Sequence, residues 1–225
     1  MGDGAPADRR IIIDSLGVGI ATGVYGVSFG AIATTSGLNV LQACVVSLLV
    51  FTGASQFALI GVIAAGGSPF AGALTATLLG SRNMFYGLSI AGRLKTHGWR
   101  KAAAAHVVID ESTAMSITRD TDHQARLGFY WTGWSVFVLW NLTTLVGAAA
   151  GQSIGDPRTY GLDAAVGAAF LALLWPRLTT WPVRLIALTG AAIALGLVPF
   201  AAAGVPIIAG GAIAVLLGMR LRVDA

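Results

Sequence analysis

The chain has 225 residues, of which 56% are hydrophobic and 11% charged, and its mean hydropathy is +0.77. A soluble domain carries about 25% charged residues, so a water-soluble globular protein is excluded. The formal charge of +4 comes from basic residues in short joints between apolar tracts, where they orient helices rather than signal nucleic acid.

No Asp, Glu, Lys or Arg occurs from Ser15 through Ser81, from Leu127 through Gly155, or from Leu185 through Met219. These runs are continuous, not alternating, which excludes a transmembrane β-barrel. The predicted fold is an all-α membrane protein, a polytopic transmembrane helix bundle of about seven to eight apolar helical segments, some broken or re-entrant. It is placed in the cell (plasma or inner) membrane as a multi-pass protein.

Residues 1–14, with Arg9 and Arg10, read as a cytoplasmic tail; a Gly-rich tract follows them rather than a cleavable signal. Residues 15–221 form a single transmembrane domain and 222–225 a cytoplasmic tail. Within that domain the uncharged runs and Gly/Pro breaks place segments at 15–35, 41–65, 69–92, 102–118, 127–151, 163–181, 183–201 and 205–220.

In the first segment Gly19 with Gly23 and Gly26 with Gly30 have helix-packing spacing, as do Gly147 and Gly151 later. The second segment holds Cys44, the lone cysteine, which allows neither a disulfide nor a Cys-based zinc site. Its middle is interrupted by Phe51-Thr52-Gly53-Ala54-Ser55-Gln56-Phe57. If the helix unwinds near Gly53, the amides of Ala54, Ser55 and Gln56 become a half-helix N-terminus suited to an anionic group. The other reading of this stretch is a packing patch with interhelical hydrogen bonds.

In the third segment Arg82 and Asn83 follow the longest uncharged run, with Tyr86 one turn beyond Arg82. Arg82 either lines the interior or snorkels to the interface. The fourth segment carries Asp110 and Glu111 among apolar neighbours, and an intramembrane acid is a functional candidate. Only one of the two need face inward. Arg82 and His106 are candidate partners; His106, four residues before Asp110, is a candidate proton relay on the same face, or an interfacial histidine without a task.

Trp131 and Trp134 open the fifth segment, while Trp175 and Trp181 sit near the end of the sixth, as interfacial anchors do. Asn141, Thr143 and Thr144 are polar within an apolar run and receive no role beyond helix bonding. Pro199 and Pro206 flank a tight turn between the last two segments.

The basic groups Arg9/Arg10, Arg93/Lys95/Arg100/Lys101, Arg119/Arg126, Arg177/Arg184 and Arg220/Arg222 all prefer the cytoplasm. Eight simple crossings would put the Arg93–Lys101 cluster outside, so something in the first half does not cross simply. Segment 102–118 as a re-entrant or tilted piece and segment 41–65 as a broken helix are the two expected departures.

There is no phosphate-binding loop, no H-E-x-x-H helix and no G-x-S-x-G elbow, so neither an enzyme nor a built-in ATPase is expected. No cofactor or metal is expected either.

Several stretches together resemble the AzlC family, the large permease subunit of bipartite branched-chain amino acid exporters. They are Gly26 to Gly30, Phe51 to Phe57, Arg82 to Gly87, the Asp110-Glu111 pair and Gly161-Leu162-Asp163. The resemblance implies proton-coupled export of valine, leucine, isoleucine or related hydrophobic amino acids, methionine among the candidates, with a small AzlD-type membrane subunit. Substrate chemistry then suggests roles: the carboxylate at Gly53, Ala54, Ser55 and Gln56, the ammonium at Asp110 or Glu111, the side chain near Phe51 and Phe57. The same acid would carry the proton. A channel-like or scaffolding subunit without active transport is the alternative, and an intramembrane protease lacks a second mid-membrane aspartate.

Overall fold

The computed structural model describes residues 4–153, 171, 174–175, 178–202 and 204–221. All regular structure among them is helical: α1 (Gly4–Gly23), α2 (Gly26–Thr35), α3 (Val40–Leu49), α4 (Ala54–Ala64), α5 (Pro69–Gly80), α6 (Arg82–Leu94), α7 (Trp99–His106), α8 (Asp110–Ile117), α9 (Asp122–Ser153), α10 (Trp181–Leu197) and α11 (Val205–Leu221). The chain forms two compact units, residues 1–56 with 80–156, and residues 57–79 with 157–225.

The expected membrane helix bundle is present, with fewer clear spans than seven or eight. Among the described residues two helical stretches, Pro6–Thr35 and Asp122–Ser153, are long and apolar enough to cross a bilayer. The reason is that segments 41–65, 69–92 and 102–118 are each two shorter helices. Helix α1 begins at Gly4, inside the stretch read as a tail. Segment 163–181 lies mostly, and the 222–225 tail wholly, outside the described residues.

The first unit is built on α9. Gly128 lies against Ile11, Gly19 against Ser135, Gly23 against Leu139, Gly26 against Trp140, Gly30 against Thr144 and Gly151 against Ala31. The pairs advance together along both stretches, so α1–α2 and α9 run parallel. A methyl group on Gly30 would collide with the Thr144 carbonyl, and one on Gly147 with the Val27 carbonyl. Glycine here permits backbone-to-backbone approach, the basis of helix association where lipid replaces water. Thr143 adds a hydrogen bond from its hydroxyl to the Gly23 carbonyl.

One end of this unit collects charge. Asp8 meets His123 at 2.9 Å, Lys95 meets Asp122 at 2.9 Å, Arg93 donates to the Ser116 carbonyl at 2.9 Å and Arg126 to the Arg93 carbonyl at 3.4 Å. The start of α1, the end of α6, the end of α8 and the start of α9 therefore share one end. Arg93 and Lys95 lie with Arg119 and Arg126 there, which removes the conflict that eight simple crossings create.

In the second unit, Gly72 of α5 packs on Leu59 of α4, and Gly204 (φ +97°) seats the turn before α11 against Val62 and Ala71. Gly190 and Gly210 bring α10 and α11 together backbone to backbone.

Candidate functional site

Three helix interruptions meet inside the first unit. The first follows α3, which starts at an Asn39 cap whose Oδ1 accepts from the Gln42 N–H at 2.8 Å while Gln42 Oε1 accepts from the Asn39 N–H at 2.9 Å. It ends at Val50, and Gly53 takes φ +61°, a left-handed conformation costly for any residue with a Cβ. The expected unwinding at Gly53 is present, and α4 begins with Ala54, Ser55 and Gln56 at its N-terminus. As at any helix start, the leading amides have no carbonyl one turn back; the Gln56 N–H reaches the Gly53 carbonyl at 3.0 Å.

The second interruption is at Ser81 between α5 and α6. It lies beside the first: a Cβ on Gly80 would stand 3.1 Å from Ser55 Oγ and 4.0 Å from Thr52 Cγ2.

The third is Val107–Ile109, between α7 and α8. Ser112 closes it, its Oγ accepting from the Ile109 N–H at 3.1 Å and donating to the Val107 carbonyl at 2.7 Å. Val107 packs against Gly133 of α9. Helix α6 ends at the charged end of the unit, and α8 returns there, since Ser116 touches Arg93. Two collinear helices of 8 residues each would run about 24 Å away instead. Helices α7 and α8 therefore form a hairpin that leads inward from one end and back to it, the expected re-entrant piece.

His106, the last residue of α7, packs 6.2 Å from Phe51 and 5.4 Å from Phe137 by ring centroids, and Phe51 meets Phe137 edge-on at 5.1 Å. Phe137 is roughly four turns into α9. Ser47 of α3 reaches Thr144, roughly six turns in, at 3.3 Å. So α3 and α7 approach the level of Phe137 from opposite ends of α9, and their interruptions face each other there.

Asp110 and Glu111 occupy the first turn of α8, not a helix centre. His106 belongs to the preceding helix, and the interruption at Val107–Ile109 overturns a shared face for His106 and Asp110. Arg82, the first residue of α6, is paired with Asp110: Nη2 to Oδ2 is 3.2 Å, with side chains 26% and 29% exposed. Glu111 is half-buried beside it. Tyr86 packs instead on the apolar cluster of Ile90, Val107, Val108 and Phe129.

Ser55 and Gln56 are buried, at 1% and 0% exposure. Gln56 Nε2 donates to the Ser47 carbonyl at 3.4 Å. Its Oε1, Ser55 Oγ, Thr52 Oγ1, Asn83 Oδ1 and Arg82 Nε are buried without a hydrogen-bond partner. These five atoms gather at two helix starts, those of α4 and α6, although buried polar atoms are nearly always satisfied. Phe51 and Phe57 are buried as well. No group of three or more metal-binding side chains occurs among the described residues.

Sequence reading did not single out Ser112, Phe137 or Ser47. Ser47 and Phe137 are legible only once their distant neighbours are known, whereas Ser112 bonds locally to Val107 and Ile109.

The sequence profile of the AzlC protein family matches residues 17–154, which takes in all three interruptions. The chain is 32% identical over 189 residues to an uncharacterized membrane protein of Archaeoglobus fulgidus, covering 83% of each chain. It is 29% identical over 170 residues to the inner membrane protein YgaZ of Escherichia coli, 71% of this chain and 67% of that one. With the branched-chain amino acid transport protein AzlC of Bacillus subtilis it shares 23% identity over 151 residues, 66% of this chain and 59% of that protein. No solved structure matches.

Proposed function

The chain belongs to the AzlC family of membrane proteins, and from that premise we propose that it is a permease exporting branched-chain or related hydrophobic amino acids. Valine, leucine, isoleucine and methionine are its cargo. Export is a proton-coupled secondary transport carried out with a small membrane subunit of the AzlD type. The permease domain takes in residues 15–221, with both tails in the cytoplasm.

The observation that carries this reading is the meeting of three helix starts around Arg82 and Asp110, beside unsatisfied buried polar atoms and buried phenylalanines. A zwitterion with an aliphatic side chain needs that combination: an anion site, a cation site and an apolar pocket. Gly53 with the amides of Ala54 and Ser55 and the Ser55 hydroxyl supply the first, in the manner of discontinuous transporter helices, and Gln56 stands beside them with its Oε1 as an acceptor. Asp110 or Glu111 supplies the second, and Phe51 and Phe57 border the third. Protonation of the acid releases the ammonium, which links proton entry to substrate exit.

The test is efflux of labelled valine, leucine, isoleucine and methionine from dipeptide-loaded cells, with and without this gene and a co-expressed small-subunit gene, and with uncoupler. Uphill efflux that stops with uncoupler supports an active exporter. Efflux only down a gradient supports the rival channel-like subunit, because a passive pore cannot accumulate.

A further inference from the structure

We infer that the Arg82–Asp110 ion pair is itself the receptor for both charges of the zwitterion, and that substrate binds by opening it; this rests on the amino-acid reading above. In the closed site Asp110 occupies the place on Arg82 that the substrate carboxylate takes. Once displaced, Asp110 is the partner for the substrate ammonium.

Electrostatics point this way. Helices α4, α6 and α8 begin at Ala54, Arg82 and Asp110, and helix starts attract anions and repel cations. Asp110 at the first position of α8 accords with that. Arg82 at the first position of α6 does not, since a basic residue belongs at a helix C-terminus; its placement is explained if an anion must be held there more tightly than amides alone can hold it.

The unmet hydrogen bonds sort in the same way. Arg82 Nε, Ser55 Oγ and Thr52 Oγ1 lack partners, and each can donate to a carboxylate. Gln56 Oε1 and Asn83 Oδ1 lack partners as well, and each can accept from an ammonium. Ser55 and Gln56 are at least nine-tenths buried, so bulk water is a poor substitute for these bonds. Gly80, which has no side chain to interpose, brings Ser55 to the start of α6 where Arg82 stands.

Selectivity follows from charge balance. The pair is neutral and so is the zwitterion, so empty and loaded sites carry the same charge. A ligand with only one ionic group leaves the other member of the pair, partly shielded from water at 26% to 29% exposure, without that counter-charge, which costs affinity. Leucinamide and 4-methylpentanoate are therefore excluded although each carries the same isobutyl group.

The experiment is uptake into everted vesicles that contain the full chain and its co-expressed small subunit, with leucine, leucinamide and 4-methylpentanoate as probes. The wild type is expected to prefer leucine to either analogue by roughly ten- to a hundredfold, the worth of one charge-assisted contact. Asp110→Asn should shift preference toward 4-methylpentanoate, and Arg82→Gln toward leucinamide. Single variants leave one charge of the pair without its counter-charge and can fail to insert, so the double variant Arg82→Gln/Asp110→Asn is measured as well. It removes both charges and leaves no unpaired ion, and it should lose leucine uptake by a similar factor while remaining monodisperse in detergent. Leucine uptake and analogue rejection unchanged in the double variant would overturn the inference and leave the transport reading standing. Absence of leucine uptake by wild-type vesicles would remove both.

Discussion

Phe51, in the interruption after α3, meets Phe137 of α9 edge-on, with ring planes 85° apart at 5.1 Å. His106 closes a third side against both rings. Two half-length helices that enter from opposite ends are thus joined through one aromatic contact on a through-going helix.

Phe51→Ala should remove about 3 to 5 kcal/mol of stability as a large-to-small change at a buried site. Phe51→Leu should cost less than half of that. Thermal denaturation of the detergent-solubilised protein measures the difference; equal melting temperatures for all three would mean that the aromatic junction carries no structural weight.

At Gly53 the demand is conformational, since φ is +61° and no atom lies within 4 Å of the place a Cβ would occupy. Gly53→Ala should cost about 1 to 2 kcal/mol, and Gly53→Asn clearly less, because asparagine tolerates the left-handed region. The order of melting temperatures glycine, asparagine, alanine checks this.

Packing glycines behave differently. Gly30→Ala places a methyl group on the Thr144 carbonyl and should destabilise by about 1 to 3 kcal/mol as α2 moves off α9. Gly87→Ala, on α6 with nothing within 4 Å, should be neutral or stabilising by up to about 1 kcal/mol. A loss at Gly87 comparable with that at Gly30 would contradict the packing described.

The α7–α8 hairpin predicts sidedness. In a Cys44→Ala background, single cysteines at His97 and Thr121 should react with a membrane-impermeant thiol reagent from the same side as a cysteine at Asp8. Opposite sidedness for His97 and Thr121 would mean that residues 99–117 cross the membrane.

If an acid of α8 carries the coupled proton, Asp110→Asn or Glu111→Gln should abolish uncoupler-sensitive efflux at a membrane level of the protein, read by immunoblot, equal to that of the wild type. Intact coupled export in both variants would end that role for them.

Much of this architecture was legible because lipid imposes simple rules. Uncharged runs located the helices, the Gly53 stretch announced an unwound point, and the misplaced Arg93–Lys101 charges announced a piece that turns back. What the sequence hid was the position of Asp110. The polar run Asp110-Glu111-Ser112-Thr113 within apolar neighbours reads as the middle of a helix, whereas Asp110 and Glu111 form an acidic first turn, a helix-start signal, after the β-branched run Val107-Val108-Ile109. The sequence offers both Arg82 and His106 as partners of Asp110, and only folding brings Arg82 to 3.2 Å from it. Contacts such as Phe51 with Phe137 have no local signature, because neither residue's neighbours in the chain encode the other.

The parallel pairing of α1–α2 with α9 has a consequence for biogenesis. Ser15 and Ser135, like Gly23 and Thr143, stand 120 positions apart yet touch. During synthesis the first span enters the bilayer with its glycine groove facing lipid, and α3 through α8 must all emerge before the complementary helix arrives. Until then the groove is open to the insertion machinery or to any other helix with small residues. Chains arrested before Asp122 should therefore lack the partner of the groove, and the first unit is completed only when α9 appears.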